Sequence, residues 1–426
     1  MRLPLSGLFP PLFNRKVPKG KKGVRKAMKF HYINRILICI LMFFLMLFLS
    51  VLRVSAKNES GGTQELNTNV LEEKLNNSEI ESVKESVDKA LQKSEISKAY
   101  GFNSDDLLND AMKGTPLNTL KGLPKVLFAL LGKEIKANLA LIIELFAIML
   151  LGAVIRSLQP LESGIPNEAA KLGVNGVMVV MASVSFGSMV NVALVAIESM
   201  QHIASLAMPA LFALMASSGR IVSVTAIQPL MLLGVNAACQ IFKTVLLPLA
   251  VMSGLLFLID SISERFKLKT LAKLLKSCTI WITGAITLAF SLMISIQKLA
   301  SASVDAVAIK TTKFAIGTFI PVAGKYMSEA AETILLCTSA ARNAAGILTI
   351  VGLALIFVIP FIKVFIVMIS FRLAATFGSP ICDECICDAL EDASSCLSVM
   401  LGIMGAAMFV LILLTGTLMS SSGFMT

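Results

Sequence analysis

The sequence predicts an all-α polytopic membrane protein, a helical bundle of about seven or eight spans with an N-terminal signal and a small extracytoplasmic helical arm. Three observations point there. Hydrophobic residues make up 56% of the 426, charged ones only 15%, and the mean hydropathy is +0.80, well outside the range of soluble domains. Apolar segments near spanning length recur from Leu139 onward. The net charge of +11 is not spread over the chain. Of the 38 Lys and Arg, 11 precede Lys57, leaving 27 to balance 27 Asp and Glu. The excess positive charge therefore belongs to a targeting segment and gives nucleic-acid binding no support.

Residues 1–56 have the layout of a secretory signal. A basic region ends at Arg35, the apolar run Ile36–Leu52 follows, and Val54-Ser55-Ala56 supplies small residues for cleavage after Ala56. Met28 is a plausible start, because MKFHYINR is already an adequate basic region. An uncleaved anchor is the alternative, since 17 apolar residues nearly span a bilayer. Either way Lys57 begins outside the cytoplasm.

Residues 57–136 are read as a polar extracytoplasmic arm. Ile80, Val83, Val87 and Leu91 recur at helical spacing, and Leu107, Leu108, Ala111 and Met112 mark a second short helix. Neither is apolar enough to form a core, which suggests a spacer or docking arm. From Leu117 to Lys136, leucines alternate with Lys121, Lys125, Lys133 and Lys136, a pattern that predicts a helix lying along the membrane surface.

Residues 137–426 form the membrane domain. Its apolar segments are Leu139–Leu158, Gly173–Ile197, Ile221–Phe242, Val245–Ile259, Cys278–Ile296, Ala345–Ile369 and Leu397–Met419. His202–Ser218 is shorter and contains Pro209, so it is expected to span with a kink or to re-enter. Backbone in lipid must satisfy its own hydrogen bonds, so these segments are helices. The loop Glu264–Ser277 is the richest in Lys and Arg. It reads as an interfacial amphipathic helix on the cytoplasmic side.

Polar residues within spans are few. Glu144 and Arg156 lie in the first span, and Asn175, Asn191 and Asn236 in later ones. Such groups mark either a pathway or a buried helix–helix hydrogen bond. Small residues such as Gly173, Gly176, Gly187, Gly402 and Gly405 are expected to let helices approach closely. Cys382, Cys385 and Cys387, with Cys396 nearby, are weak candidates for zinc. The pattern lacks a second CxxC arm, and chance placement at a span boundary accounts for it better. After Ala56 the chain has one His, His202, and it lacks a phosphate-binding loop, HExxH and GxSxG. No catalytic residues and no cofactor are indicated, and an ATP-driven role would need a separate subunit.

The stretch FIPVAGKYMSEAAETI, Phe319–Ile334, puts breakers and charges between apolar segments. Pro321 has no backbone N–H to donate and Gly324 permits positive φ, so one helix should end near Phe319 and another begin after Gly324. Glu329, Glu332 and Thr333 then share a face, and Arg342 and Asn343 follow one to two turns on. Broken helices with polar groups at membrane depth build transporter sites and line pores. A surface loop followed by a solvated helix is the plainer alternative.

FIPVAG, SEAAETI and ARNAAG together resemble the signature of the stage III sporulation protein AE family, over about Leu123 to Met419. Glu329 stands where that family usually has Asp, Ala323-Gly324-Lys325 is more basic, and CDECIC is not among its features. The resemblance implies a non-enzymatic membrane subunit of the transenvelope channel complex of endospore formers, in the mother-cell membrane facing the engulfed forespore. It also implies partners: other membrane proteins of the sporulation complex, including an ATPase-like subunit. The competing reading is a self-contained secondary transporter that uses Glu144, Glu329 and Glu332 as coupling groups.

Overall fold

The computed structural model describes residues 78–92, 103–112, 122–158, 165–262, 268–319, 324–380 and 384–420. The chain divides into two units, residues 1–62 and 63–426, and every described residue falls in the second. The signal region therefore lies outside the described residues. Those described form helices without strands: α1 (Ser78–Gln92), α2 (Ser104–Met112), α3 (Leu123–Leu158), α4 (Ile165–Ser217), α5 (Ile221–Ile241), a π-turn (Phe242–Leu246), α6 (Leu247–Asp260), α7 (Lys269–Phe319), α8 (Gly324–Gly378) and α9 (Glu384–Ser420).

Six stretches among them are long and apolar enough to cross a membrane: Phe128–Val154, Leu172–Ser217, Ser223–Asp260, Lys269–Ile296, Thr333–Gly378 and Cys385–Met419. The expectation of seven or eight spans is corrected by two mergers. His202–Ser218 is the continuation of α4, with Pro209 inside the helix. Ile221–Phe242 and Val245–Ile259 form one run through the π-turn. Pro248 explains the second merger. Its ring would crowd the carbonyl four residues back, and the π-turn widens the helix at that point.

Two amphipathic stretches expected on the membrane surface are continuous with longer apolar helices. The lysines from Lys125 to Lys136 ride on the first turns of α3, which runs unbroken into the span. Lys269, Lys273 and Lys276 likewise open the 51-residue helix α7. Once a helix is started, adding a residue costs less than ending it and capping the new terminus.

Helix α8 is the hub, packing on α9, α4 and α3, while α6 and α7 close the far side against α9. Pairings fix the directions. Glu134 of α3 lies 3.6 Å from Lys363 of α8, and Met149 of α3 abuts Gly378, so these two helices run parallel. Asn175 and Phe186 of α4 meet Ser261 and Gly254 at and near the end of α6, so that pair is antiparallel. One end of the bundle gathers Asn175, Ser261, Lys269 and Asp388; the other gathers Ser218, Arg342 and Met419.

The arm does not stand apart as a spacer. Ile80, Val83, Val87 and Leu91 are all buried, because α1 packs on α4 and α8, and α2 packs on α8. Ser104 Oγ donates to Asp88 (2.8 Å) and Lys84 pairs with Asp105 (2.5 Å), clipping the two arm helices together. Asp105 holds the Lys84 ammonium above its ordinary lysine value, so this clip is present at neutral pH and is lost only as pH rises through that raised value. The seat on α8 is Gly352, where an added Cβ would lie 2.8 Å from Val87 Cγ1. Gly352→Leu is therefore expected to unseat α1 while leaving the bundle folded. Limited proteolysis of the purified protein should cut between residues 78 and 112 about tenfold faster, the equivalent of losing one modest packing contact.

Candidate functional site

The helix break falls where the sequence places it. Helix α7 ends at Phe319 and α8 begins at Gly324. Pro321 lies outside the described residues, and so do the side chains of Glu329 and Glu332, whose backbone forms the first turns of α8. Thr333 is exposed. Twenty residues after the break, Arg342 is fully buried, the largest such side chain described.

Arg342 sits at the junction of α8 with the C-terminal ends of α4 and α9. Its Nη1 donates to Ser218 Oγ (2.9 Å) and its Nη2 to the Met419 carbonyl (3.4 Å). Ser218 in turn donates to the Met215 carbonyl (2.8 Å), which turns its lone pairs toward the guanidinium. Gly219 stops α4 there. Its φ of 83° is a left-handed conformation, and the Gly219 and Arg220 amides bond back to Ala216 and Met215. Arg342 thus meets the C-terminal ends of both α4 and α9, where unsatisfied carbonyls and the helix dipoles concentrate partial negative charge. That explains a buried arginine with no carboxylate partner among the described residues. Its Nε and the neighbouring Asn343 Oδ1 make no hydrogen bond in the protomer. The sequence reading grouped Arg342 with a polar, passage-lining face; in the protomer it is sealed into a packing junction.

The model of the stage III sporulation protein AE family matches residues 102–423, from the start of α2 through α9. The chain belongs to that family. It is also 29% identical over 284 residues to the stage III sporulation protein AE of Bacillus subtilis (strain 168), covering 65% of this chain and 71% of that one. No solved structure matches the chain. The protein is accordingly a multi-pass membrane protein with a sporulation role.

The remaining candidate residues do not converge. Glu144 points outward from α3 and makes no ion pair or hydrogen bond among the described residues; the acid of α3 that does reach α8 is Glu134, through Lys363. Glu134 was hidden in the sequence by its lysine neighbours, which made its segment look like a surface helix. Arg156 lies in the last turn of α3, and its side chain is outside the described ones. Asn175 bonds to the Ser261 carbonyl (3.3 Å), a helix-to-helix link of the plain structural kind.

The cysteines point apart. Cys382 lies outside the described residues. Cys385 Sγ approaches the Ser261 carbonyl (3.9 Å) and Cys396 Sγ lies 3.5 Å from Ser253 Oγ, both toward α6. Cys387 is buried and faces Gly378. Among the described residues no group of His, Cys, Asp and Glu is placed to hold a metal ion. The chemistry at this end is instead ionic. Lys269 of α7 lies 3.3 Å from both Asp388 and Asp392 of α9, and its backbone N–H donates to Asp260 (2.9 Å). Asp388 and Asp392 are one helical turn apart, so a single lysine offsets a like-charge pair and ties α7 to α9. Those aspartates carry no sequence signal of their own, because their partner lies more than a hundred residues away.

Proposed function

We propose that the protein is a non-enzymatic channel or platform subunit of the sporulation transenvelope complex, in the mother-cell membrane facing the forespore, and that it supports late forespore gene expression. The observation that supports this most is the anchored arm. Helices α1 and α2 are packed on α4 and α8, with Val87 against Gly352, ten residues along α8 from Arg342, and the helix break lies N-terminal to both. A fixed extracytoplasmic surface is what a subunit needs to meet partners across the space between two membranes. Partners in the same membrane and an ATPase-like subunit complete this reading.

Topology agrees with it. Counted from an external Lys57, three crossings would bring the chain to the cytoplasmic side at the basic loop before Lys269 and would leave the arm outside. Eight crossings give that loop the same side, because each merger removes one span and the two mergers together preserve parity. A self-contained transporter is supported less well, because a coupling carboxylate belongs inside the protomer and Glu144 faces outward.

Deleting the gene in its host tests the proposal. The expected result is normal vegetative growth, normal engulfment, and a late forespore reporter that stays dark. Normal spores, or a growth defect on some nutrient, would overturn the complex-subunit reading.

A further inference from the structure

Midway between the two ends, the outward side of α4 and of the π-turn carries polar groups where lipid-facing residues are expected. Glu198 lies near the middle of α4, between Asn175 and Ser218; Gln240 and Lys243 lie near the middle of the α5–α6 run. The Glu198 carboxylate is 60% exposed and stands 3.7 Å from Lys243 Nζ, too far for a hydrogen bond. Gln201 Nε2 donates to Asn236 Oδ1 (2.8 Å) and Asn236 donates to the Leu232 carbonyl, and Gln201 Oε1 has no partner among the described residues. The side chains of Asn191 and Gln240 are exposed and make no hydrogen bond among the described residues. On either side the surface is apolar, with Val184 69% and Leu233 71% exposed.

Hydrocarbon does not accommodate this patch. Ionisable and amide groups at mid-depth demand partners, and lipid tails offer none. The backbone departs from regularity at the same place. Phe242 and Leu246 of the π-turn point inward and are fully buried, Thr244 is exposed, and the Lys243 side chain, only 16% exposed, lies along the protein beside Glu198. Single-turn π insertions recur at functional sites because they re-aim side chains that a regular helix would turn away. The patch holds one acid and one base, so its charge is balanced, and the rest is amide and hydroxyl.

We propose that this face, carrying Asn191, Glu198, Gln201, Asn236, Gln240 and Lys243, is in contact with water at mid-membrane depth. It lines the passage of the assembly for small hydrophilic solutes that are uncharged or zwitterionic. The inference rests on the channel reading above and names the surface that would do the lining. A second protein surface closes the passage on the other side, since one protomer provides one wall.

The test is cysteine accessibility in membranes from sporulating host cells, with the native cysteines as background. Asn191→Cys and Gln240→Cys are read against Val184→Cys and Leu233→Cys, using a charged, membrane-impermeant thiol reagent. Thiol reagents attack the thiolate, which desolvation suppresses, so lipid-facing positions should react on the order of 100-fold more slowly than water-facing ones. Fast labelling at Asn191→Cys and Gln240→Cys alone supports the lining role. Rates equal to the Val184 and Leu233 controls mean a lipid-facing patch and overturn it. Slow labelling with a disulfide between two copies means that the face is a dry dimer contact, and overturns it too. Thr244→Cys, also exposed on the π-turn, replaces Gln240→Cys if that variant does not accumulate. Labelling reads the face directly, whereas gene deletion reads the developmental role, so the two proposals fail separately.

Discussion

Gly254→Leu is expected to abolish accumulation of the protein in the membrane, and Gly254→Ala to destabilise it by about 1–3 kcal/mol. An ideal Cβ at Gly254 would lie 2.4 Å from Phe186 Cζ, with two further ring atoms at 2.8 and 3.0 Å. Phe186 is itself fully buried, so its ring has no space to swing into. The contact is the crossing point of α4 and α6, and close backbone approach is what holds membrane helices together where lipid tails compete for apolar surface. Phe186→Ala alone should cost about 3–5 kcal/mol by leaving a ring-sized cavity. The double variant, with Leu at 254 and Ala at 186, should recover part of both losses. Thermal midpoints in detergent across the four proteins measure the coupling. If the two losses add without interaction, α4 and α6 do not cross there.

Arg342→Met is expected to cost about 3 kcal/mol, from the cavity it leaves and from the loss of two charge-assisted hydrogen bonds at helix C-termini. Arg342→Lys should recover less than half of that. An ammonium on a flexible stem can reach one acceptor, whereas the guanidinium spans Ser218 and the Met419 carbonyl at once. Ser218→Ala keeps the charge and removes one acceptor, so its expected cost is smaller, about 1 kcal/mol. Protease sensitivity of the α4–α5 turn and of the end of α9 should rise together in Arg342→Met, because one side chain closes both. An Arg342→Met protein as stable as the parent would mean that the junction is held by packing alone.

Local chemistry made part of this molecule readable. The break between Phe319 and Gly324 follows from a proline without an N–H and a nearby glycine, and needs no tertiary information. The stripe of Ile80, Val83, Val87 and Leu91 is legible for the same reason, since helical spacing alone puts the four on one face. What that face covers is a different matter. The arm's low hydrophobicity suggested a spacer or a docking arm, and its narrow stripe is seated against Gly352 of α8. Two prolines, Pro209 and Pro248, were legible as irregularities, but the sequence alone does not say how the helix would absorb them. In water each would end a helix, but within a bundle neighbouring helices and a π-turn accommodate the lost bond.

The sequence by itself determined the all-α membrane class, the family, the helix break and the apolar face of the arm, because each is set by composition or by neighbours within a few residues. The tertiary structure alone decided that Arg342 is buried at two helix ends, that Glu144 faces outward while Glu134 faces in, and that Glu198 meets Lys243 and Gln201 meets Asn236. Those placements depend on which helix lies beside which, and residues from 35 (Gln201 and Asn236) to 229 (Glu134 and Lys363) apart in the chain carry no local signal of meeting.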